Sequence, residues 1–458
     1  MLEVSLALSP NRGTWASKGS FVLASAGSAI GLGNIWRFPT QVGQSGGAVF
    51  VLLYLVCVFL ICFPILIAEF TLGRRAQKDP VGSFLTIKPG TAWWLAGAVG
   101  VLAGAGILSF YAVIAGWTVA YVWFTATGAI PNQPAAVSTF FENFIGNGNL
   151  NLALTFIVLV ATGTVIAAGV RSGIERATKT MMPVLFILLF VLAVRAVTLP
   201  GAVEGLTYYL KPDFTKLSDI NVLSAALGQA FFSLSLGMGT MLTYGSYLGK
   251  KENIASAATL VVVLDTGIAL LAGVIIFPSG FSIPNFDPNS GGPGLIFTVL
   301  PQLFTTLPGG QLFGASFFLL LTVAALTSAI SLLEVPVAHL IDIHKWKRLP
   351  AVIIVTGTVF VLAVPSALAN GAVKFLSDLP GLRVDFLSLM ATVWNDFALP
   401  IGGLLTAIFV GHVWGVNGAL TELLGNQSRF PGAALWGFLI RWVCPVGIAS
   451  IILVKLIQ

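Results

Sequence analysis

Residues Gly27 to Pro39 read GSAIGLGNIWRFP and sit inside the first long apolar stretch of the chain. Gly27, Gly31, Gly33, Asn34, Arg37 and Pro39 crowd a segment that would otherwise be an uninterrupted hydrophobic helix. Glycine and proline weaken helices, and a charged side chain is costly in lipid. Such residues in a membrane-crossing segment point to a purpose other than spanning.

That the segment crosses a membrane follows from composition. The chain has 458 residues, 57% of them hydrophobic and only 9% charged, with a mean hydropathy of +0.95. Soluble domains carry roughly 25% charged residues. Apolar runs of spanning length recur throughout, where a β-barrel would show short segments of alternating polarity. The expectation is an all-α integral membrane protein. Its net charge of +6 is accounted for by basic loops on one membrane face, so no nucleic-acid partner is expected. Cys57, Cys62 and Cys444 lie in apolar runs without metal-ligand spacing, and His339, His344 and His412 are scattered near helix ends. No cleavable leader is expected before the first span.

Eleven spans are predicted, at 15–41, 46–74, 92–128, 150–170, 177–199, 219–247, 253–279, 311–343, 349–370, 385–414 and 431–456, numbered spans 1 to 11 in chain order. With the N-terminus inside, fifteen of the 23 Lys and Arg residues fall on the cytoplasmic side and five outside, while Arg37, Arg195 and Arg441 fall within spans. This bias predicts a cytoplasmic N-terminus and an external C-terminus.

The spans group as five, five and one. Span 1 is interrupted by GSAIGLGN, and span 6, which opens the second group, by SLSLGMGT (Ser233 to Thr240). Five is odd, so the second group runs through the membrane in the opposite sense. Glycine-broken segments at corresponding positions of inverted halves point to the binding site of a secondary transporter. Gly27 and Gly31 alone would read as a GxxxG packing pair; the matched second break favours the transporter. The expected divisions are a cytoplasmic segment 1–14, a first five-helix repeat 15–199, an external loop 200–218, a second repeat 219–414, and a loop with span 11 over 415–458. A break at mid-membrane frees peptide groups that lipid cannot satisfy. Freed carbonyls suit a cation or an ammonium, and a half-helix N-terminus suits a carboxylate.

GSAIGLGNIWRFP together with FFSLSLGMGTMLTYGSY (Phe231 to Tyr247) resembles the neurotransmitter:sodium symporter family, from Arg12 to about Gly415. The similarity is to its bacterial amino-acid transporters of the leucine-transporter fold, in an eleven-span form. The resemblance implies two sodium sites. One takes backbone oxygens of Gly27, Ile30 and Ala324 and the hydroxyls of Thr327 and Ser328. The other takes the Ala29 backbone oxygen, the Asn34 side chain, Ser233 and Asp265. The substrate carboxylate would meet the Gly31–Leu32–Gly33 backbone, the Tyr111 hydroxyl and sodium. Its ammonium would meet carbonyls of Ala29, Phe232 and Ser233. Ile107, Phe232, Ser235, Met238, Ser328 and Leu332 would line the side-chain pocket. Gly31 stands where amine carriers of the family tend to have an aspartate, which favours an α-amino acid. The lining, apolar and compliant because methionine adapts its shape, favours a hydrophobic one, with aromatic ones included because the Gly237–Met238–Gly239 break has room to open further.

Asp265, in TLVVVLDTGIALLAG, is an acid at mid-span. Chloride-dependent relatives have asparagine there and hold an anion among residues matching Tyr54, Gln229 and Ser233. With Ala269 one turn later, Asp265 is expected to supply the negative charge and make transport chloride-independent. At the cytoplasmic gate the resemblance pairs Arg12 with Asp342, with Tyr247 beside them; at the external gate it places Arg37 and Phe232. The family's acidic partner for Arg37 falls at Ala391, which is not acidic, leaving Asp385 and Asp396 as nearby candidates. Glu69 and Glu334 read as buried helix-to-helix hydrogen-bonding partners.

The resulting expectation is a sodium-coupled symporter of the plasma membrane, of the bacterial inner-membrane kind, importing amino acids by alternating access with no obligatory protein partner. The alternatives are a sodium-coupled carrier of an amine or an osmolyte such as betaine, and, more remotely, an ion channel, which would show a symmetric pore. No nucleophile and base, metal cluster or nucleotide loop suggests an enzyme.

Overall fold

The structure is a computed structural model that describes residues 13–283, 286–289, 295–425 and 430–457. Its regular elements are all helical among these residues. Nine helices are long and apolar enough to cross a membrane among the described residues: Ala48–Ala76, Trp94–Ala126, Gly148–Ala167, Val170–Ala196, Ile254–Gly280, Gly310–Asp342, Arg348–Leu368, Phe386–Val413 and Ala433–Leu456. These are spans 2–5 and 7–11. Spans 1 and 6 fall short of that length because each is broken.

Span 1 runs as Lys18–Ala29, then unwinds, and resumes as a π-helical turn Gly33–Arg37 continuing into Phe38–Gln44. Ile30, at the break, is extended with ψ of 101°. Span 6 runs as Ile220–Ser233 and Thr240–Ser246 with an irregular link between them. Ser235, Gly237 and Gly239 in that link have φ of 53°, 77° and 75°. Left-handed backbone suits glycine, and Gly237 has a second constraint. A Cβ there would lie 2.1 Å from the Leu399 carbonyl oxygen of span 10. Ser235 adopts the same region without being glycine, and its hydroxyl is tied to the Ser28 carbonyl at 3.0 Å.

Spans 3 and 8 pack along each other through the centre, and span 1 lies against spans 7 and 8. Close approach uses small residues: a Cβ on Gly100 would be 3.1 Å from the Gly239 nitrogen, at the span 6 break. Trp123, Ile187 and Val361 are among the large apolar side chains left exposed on the outer wall, the surface that acyl chains cover in a bilayer. At one end of the bundle the short helix Pro80–Ile87 joins spans 2 and 3. Asp79 caps it, accepting from the N–H groups of Val81 and Gly82 at 3.0 and 3.1 Å.

Candidate binding site at the two helix breaks

In a continuous helix the N–H groups of Gly31 and Leu32 would return to the carbonyls of Gly27 and Ser28. Here Gly31 N–H donates to Asn34 Oδ1 at 3.1 Å and Leu32 N–H to the Tyr111 hydroxyl at 3.2 Å. The released Ser28 carbonyl accepts instead from the hydroxyls of Ser235 and Ser328, each at 3.0 Å. The break is thus stabilised by side chains from spans 3, 6 and 8.

Behind it lies a buried oxygen-rich cluster. Asn34 Nδ2 donates to Asp265 Oδ1 at 2.7 Å and to Ser233 Oγ at 3.0 Å. Ser233 Oγ donates to Asp265 Oδ2 at 2.8 Å, and the Tyr54 hydroxyl lies 3.3 Å from Ser233 Oγ. Asp265 is wholly buried, and no basic side chain is paired with it among the described residues. Gln229 Nε2 donates to the Gly33 carbonyl at 2.8 Å, and Ala269 is buried one turn beyond Asp265. The Asp265 carboxylate and the hydroxyls of Ser233 and Tyr54 form a donor set of hard oxygens, which fits a small cation such as sodium, while Asn34 turns its Nδ2 to this set and its Oδ1 to the Gly31 N–H.

A small cavity opens between the two breaks. Ser28, Ala29, Gly31, Gly33, Ile107, Tyr111, Phe232, Ser235, Met238, Ser328 and Leu332 line it. Of the expected substrate contacts, only Leu32 and Ser233 stand outside this lining, Leu32 held by Tyr111 and Ser233 by Asp265. Ser28, which the sequence reading did not single out, belongs to it. Its place between Gly27 and the Ile30 break was the available signal. A Cβ on Gly31 would lie 2.3 Å from Ser328 Oγ and 3.0 Å from the Tyr111 hydroxyl, so the backbone approaches these groups only as glycine. A larger cavity lined by Phe124, Thr125 and Gln311 lies at the far end of spans 3 and 8, away from both breaks.

The other expected cation position lies where span 8 meets span 1. Thr327 Oγ1 is 2.9 Å from the Ala324 carbonyl and 3.4 Å from that of Ile30. Gly27 faces span 5, where a Cβ would meet Met182 Sδ at 3.2 Å.

At one mouth of the cavity, Arg37 lies with its guanidinium carbon 5.1 Å from the Phe232 ring centre. Arg37 Nη2 pairs with Asp396 Oδ1 at 3.1 Å. The expected family position, Ala391, therefore does not carry the partner; Asp396 does, while Asp385 caps the start of span 10. Span 10 is π-helical over Thr392–Ala398. In π geometry residues five apart lie on one face, so Asp396 stands one turn beyond Ala391 on the same side of the span.

At the opposite end, Asp342 Oδ2 accepts the Asp79 N–H at 2.7 Å, and Asp79 Oδ2 lies 2.8 Å from His339 Nδ1. The Tyr247 hydroxyl donates to Glu334 Oε1 at 2.7 Å, and Arg348 pairs with the other Glu334 oxygen. Arg12 lies outside the described residues. Glu69 Oε1 accepts the Gly237 N–H at 2.8 Å, so this acid serves the unwound link of span 6.

Comparison with known proteins agrees with this architecture. The model of the Sodium:neurotransmitter symporter family matches residues 12–139 and 135–458. An uncharacterised sodium-dependent transporter of Bacillus subtilis, YhdH, is 38% identical over 443 residues, 96% of each chain. One of Haemophilus influenzae is 34% identical, covering 97% of this chain and 98% of its own. Among solved structures, MhsT in complex with L-phenylalanine superposes with a TM-score of 0.90 at 43% identity, over 96% of this chain and 99% of that one. Broken spans 1 and 6, an oxygen cluster between them and near full-length matches lead to one conclusion: the chain belongs to the sodium:neurotransmitter symporter family and is a sodium-dependent transporter.

Proposed function

We propose that this transporter imports hydrophobic amino acids, aromatic ones among them, together with sodium and without a requirement for chloride. The observation that carries the reading is Asp265, a buried carboxylate hydrogen-bonded to Asn34 and Ser233 and paired with no basic side chain among the described residues. A charge so placed is stabilised by a cation, and it supplies the negative charge that a bound anion would otherwise provide. Sodium here is gripped by the Ala29 carbonyl, Asn34, Ser233 and Asp265. A second ion sits among Gly27, Ile30, Ala324, Thr327 and Ser328.

The substrate carboxylate lies against the Gly31–Gly33 backbone, the Tyr111 hydroxyl and the first sodium, so ion and solute stabilise each other. Its ammonium faces the carbonyls of Ala29, Phe232 and Ser233. Ile107, Met238 and Leu332 leave an apolar space for the side chain, and the L-phenylalanine bound to MhsT supports this class. Gly31 leaves no countercharge for an amine lacking a carboxylate. Arg37, Phe232 and Asp396 form the external gate; Arg12, Asp342 and Tyr247 belong to the cytoplasmic one, with the N-terminus inside. Uptake of L-phenylalanine into proteoliposomes tests the reading. It requires a sodium gradient, persists when gluconate replaces chloride, and is inhibited by apolar amino acids. Inhibition chiefly by charged amino acids, or collapse without chloride, overturns it.

A further inference from the structure

Asp396 Oδ1 serves two cations. Arg37 Nη2 approaches it at 3.1 Å and Lys455 Nζ at 3.4 Å, the lysine coming from the last helix, Cys444–Ile457. That helix packs against Leu399–Ile408, the continuation of the span that carries Asp396. Arg37 has partners of its own on span 6: the Phe232 ring, Gln229 Oε1 at 3.3 Å and the Gly228 carbonyl at 3.5 Å. The ion pair therefore joins two groups of helices, spans 1 and 6 on one side and spans 10 and 11 on the other. Each group holds a compensating partner for its own charge.

We propose that Lys455 is a positioning residue of the external gate, holding the Asp396 carboxylate compensated when Arg37 withdraws. The proposal rests on the reading of Arg37 and Asp396 as that gate. Opening the gate breaks the Arg37–Asp396 contact. Without Lys455 it would leave a part-buried carboxylate uncompensated, which is costly. With Lys455, Asp396 keeps one cation and Arg37 keeps its ring and carbonyl contacts, so less free energy is needed to reach the open state. Lys455 also competes for the same oxygen and weakens the closed pair. Span 11, outside the two five-helix groups, thereby enters the transport cycle through one side chain.

The test uses the full chain in lipid nanodiscs with sodium, spin-labelled at Gln44→Cys, the outer end of span 1, and Leu382→Cys, just before span 10. Both positions are exposed and the three native cysteines are buried. Lys455→Met is expected to enrich the shorter-distance, closed population about threefold, the scale of a part-exposed ion pair. Lys455→Arg restores the parental distribution. In an Asp396→Asn background the lysine substitution has no further effect. Uptake by Lys455→Met shows KM raised by up to about threefold, because the substrate-accepting open fraction falls. If Asp396→Asn shifts the distribution while Lys455→Met leaves it unchanged, the gate stands and the role of Lys455 falls. If Asp396→Asn leaves it unchanged, the gate reading falls, and the proposal with it.

Discussion

Asn34, in the resumed half of span 1, donates through Nδ2 to Asp265 Oδ1 of span 7 at 2.7 Å. This bond, between residues 231 positions apart, ties the first helix break to the only buried acid of the oxygen cluster. Asp265→Asn keeps the shape and removes the charge. We expect the sodium concentration for half-maximal uptake to rise at least about tenfold, roughly 1.4 kcal/mol, and to fall again when chloride is supplied. Sodium titrations of uptake with and without chloride check both parts.

Gly31 admits no side chain beside Ser328 and Tyr111. Gly31→Ala forces these groups aside at an overpacking cost of about 1–3 kcal/mol. The expected result is at least about tenfold weaker amino-acid binding at saturating sodium, read by equilibrium binding of radiolabelled L-phenylalanine, with the purified protein remaining monodisperse.

Glu69 satisfies an N–H that the unwinding of span 6 leaves without a helical partner. Glu69→Ala orphans it at a cost of about 1–3 kcal/mol, whereas Glu69→Gln retains an acceptor oxygen. Thermal unfolding in detergent should show a lower Tm for the alanine variant and a smaller change for glutamine. Equal losses would mean the charge, not the hydrogen bond, matters.

Arg74 at the end of span 2 is 1% exposed and pairs with Glu422 at 2.9 Å, while Lys250 reaches the same carboxylate at 3.2 Å. Glu422→Ala leaves a buried guanidinium without its acid, a loss of about 3–5 kcal/mol. A strongly lowered Tm, partly recovered by Arg74→Met in the same chain, is the expected pattern.

The proposed orientation is open to direct chemical test. Gln44→Cys should react with a membrane-impermeant maleimide in intact cells, and Lys251→Cys only after permeabilisation. Background from the native cysteines is low because all three are buried. The opposite pattern would invert the assignment of the two gates.

Several features were legible in the sequence because their causes are local. Apolar run length marks a span whatever surrounds it, and most observed helices begin and end close to the predicted bounds, as in Ile254–Gly280 against 253–279, whereas span 5 starts at Val170 rather than 177. Glycine clusters at Gly31–Gly33 and Gly237–Gly239 marked the two breaks, since backbone preferences act within a few residues. Asp265 stood out because an acid amid aliphatic residues needs a partner.

What the sequence by itself determined is therefore the number of spans, their breaks and the residue types gathered at each break. Only the tertiary structure decided which groups meet. The π-helical register of span 10 brings Asp396, not the position of Ala391, to Arg37, and Lys455 joins it from a helix beyond the repeats. Glu69 finds its N–H 168 positions away. Helix formation depends on neighbours along the chain, whereas these contacts depend on the rotation and packing of whole helices against one another, which no single segment encodes.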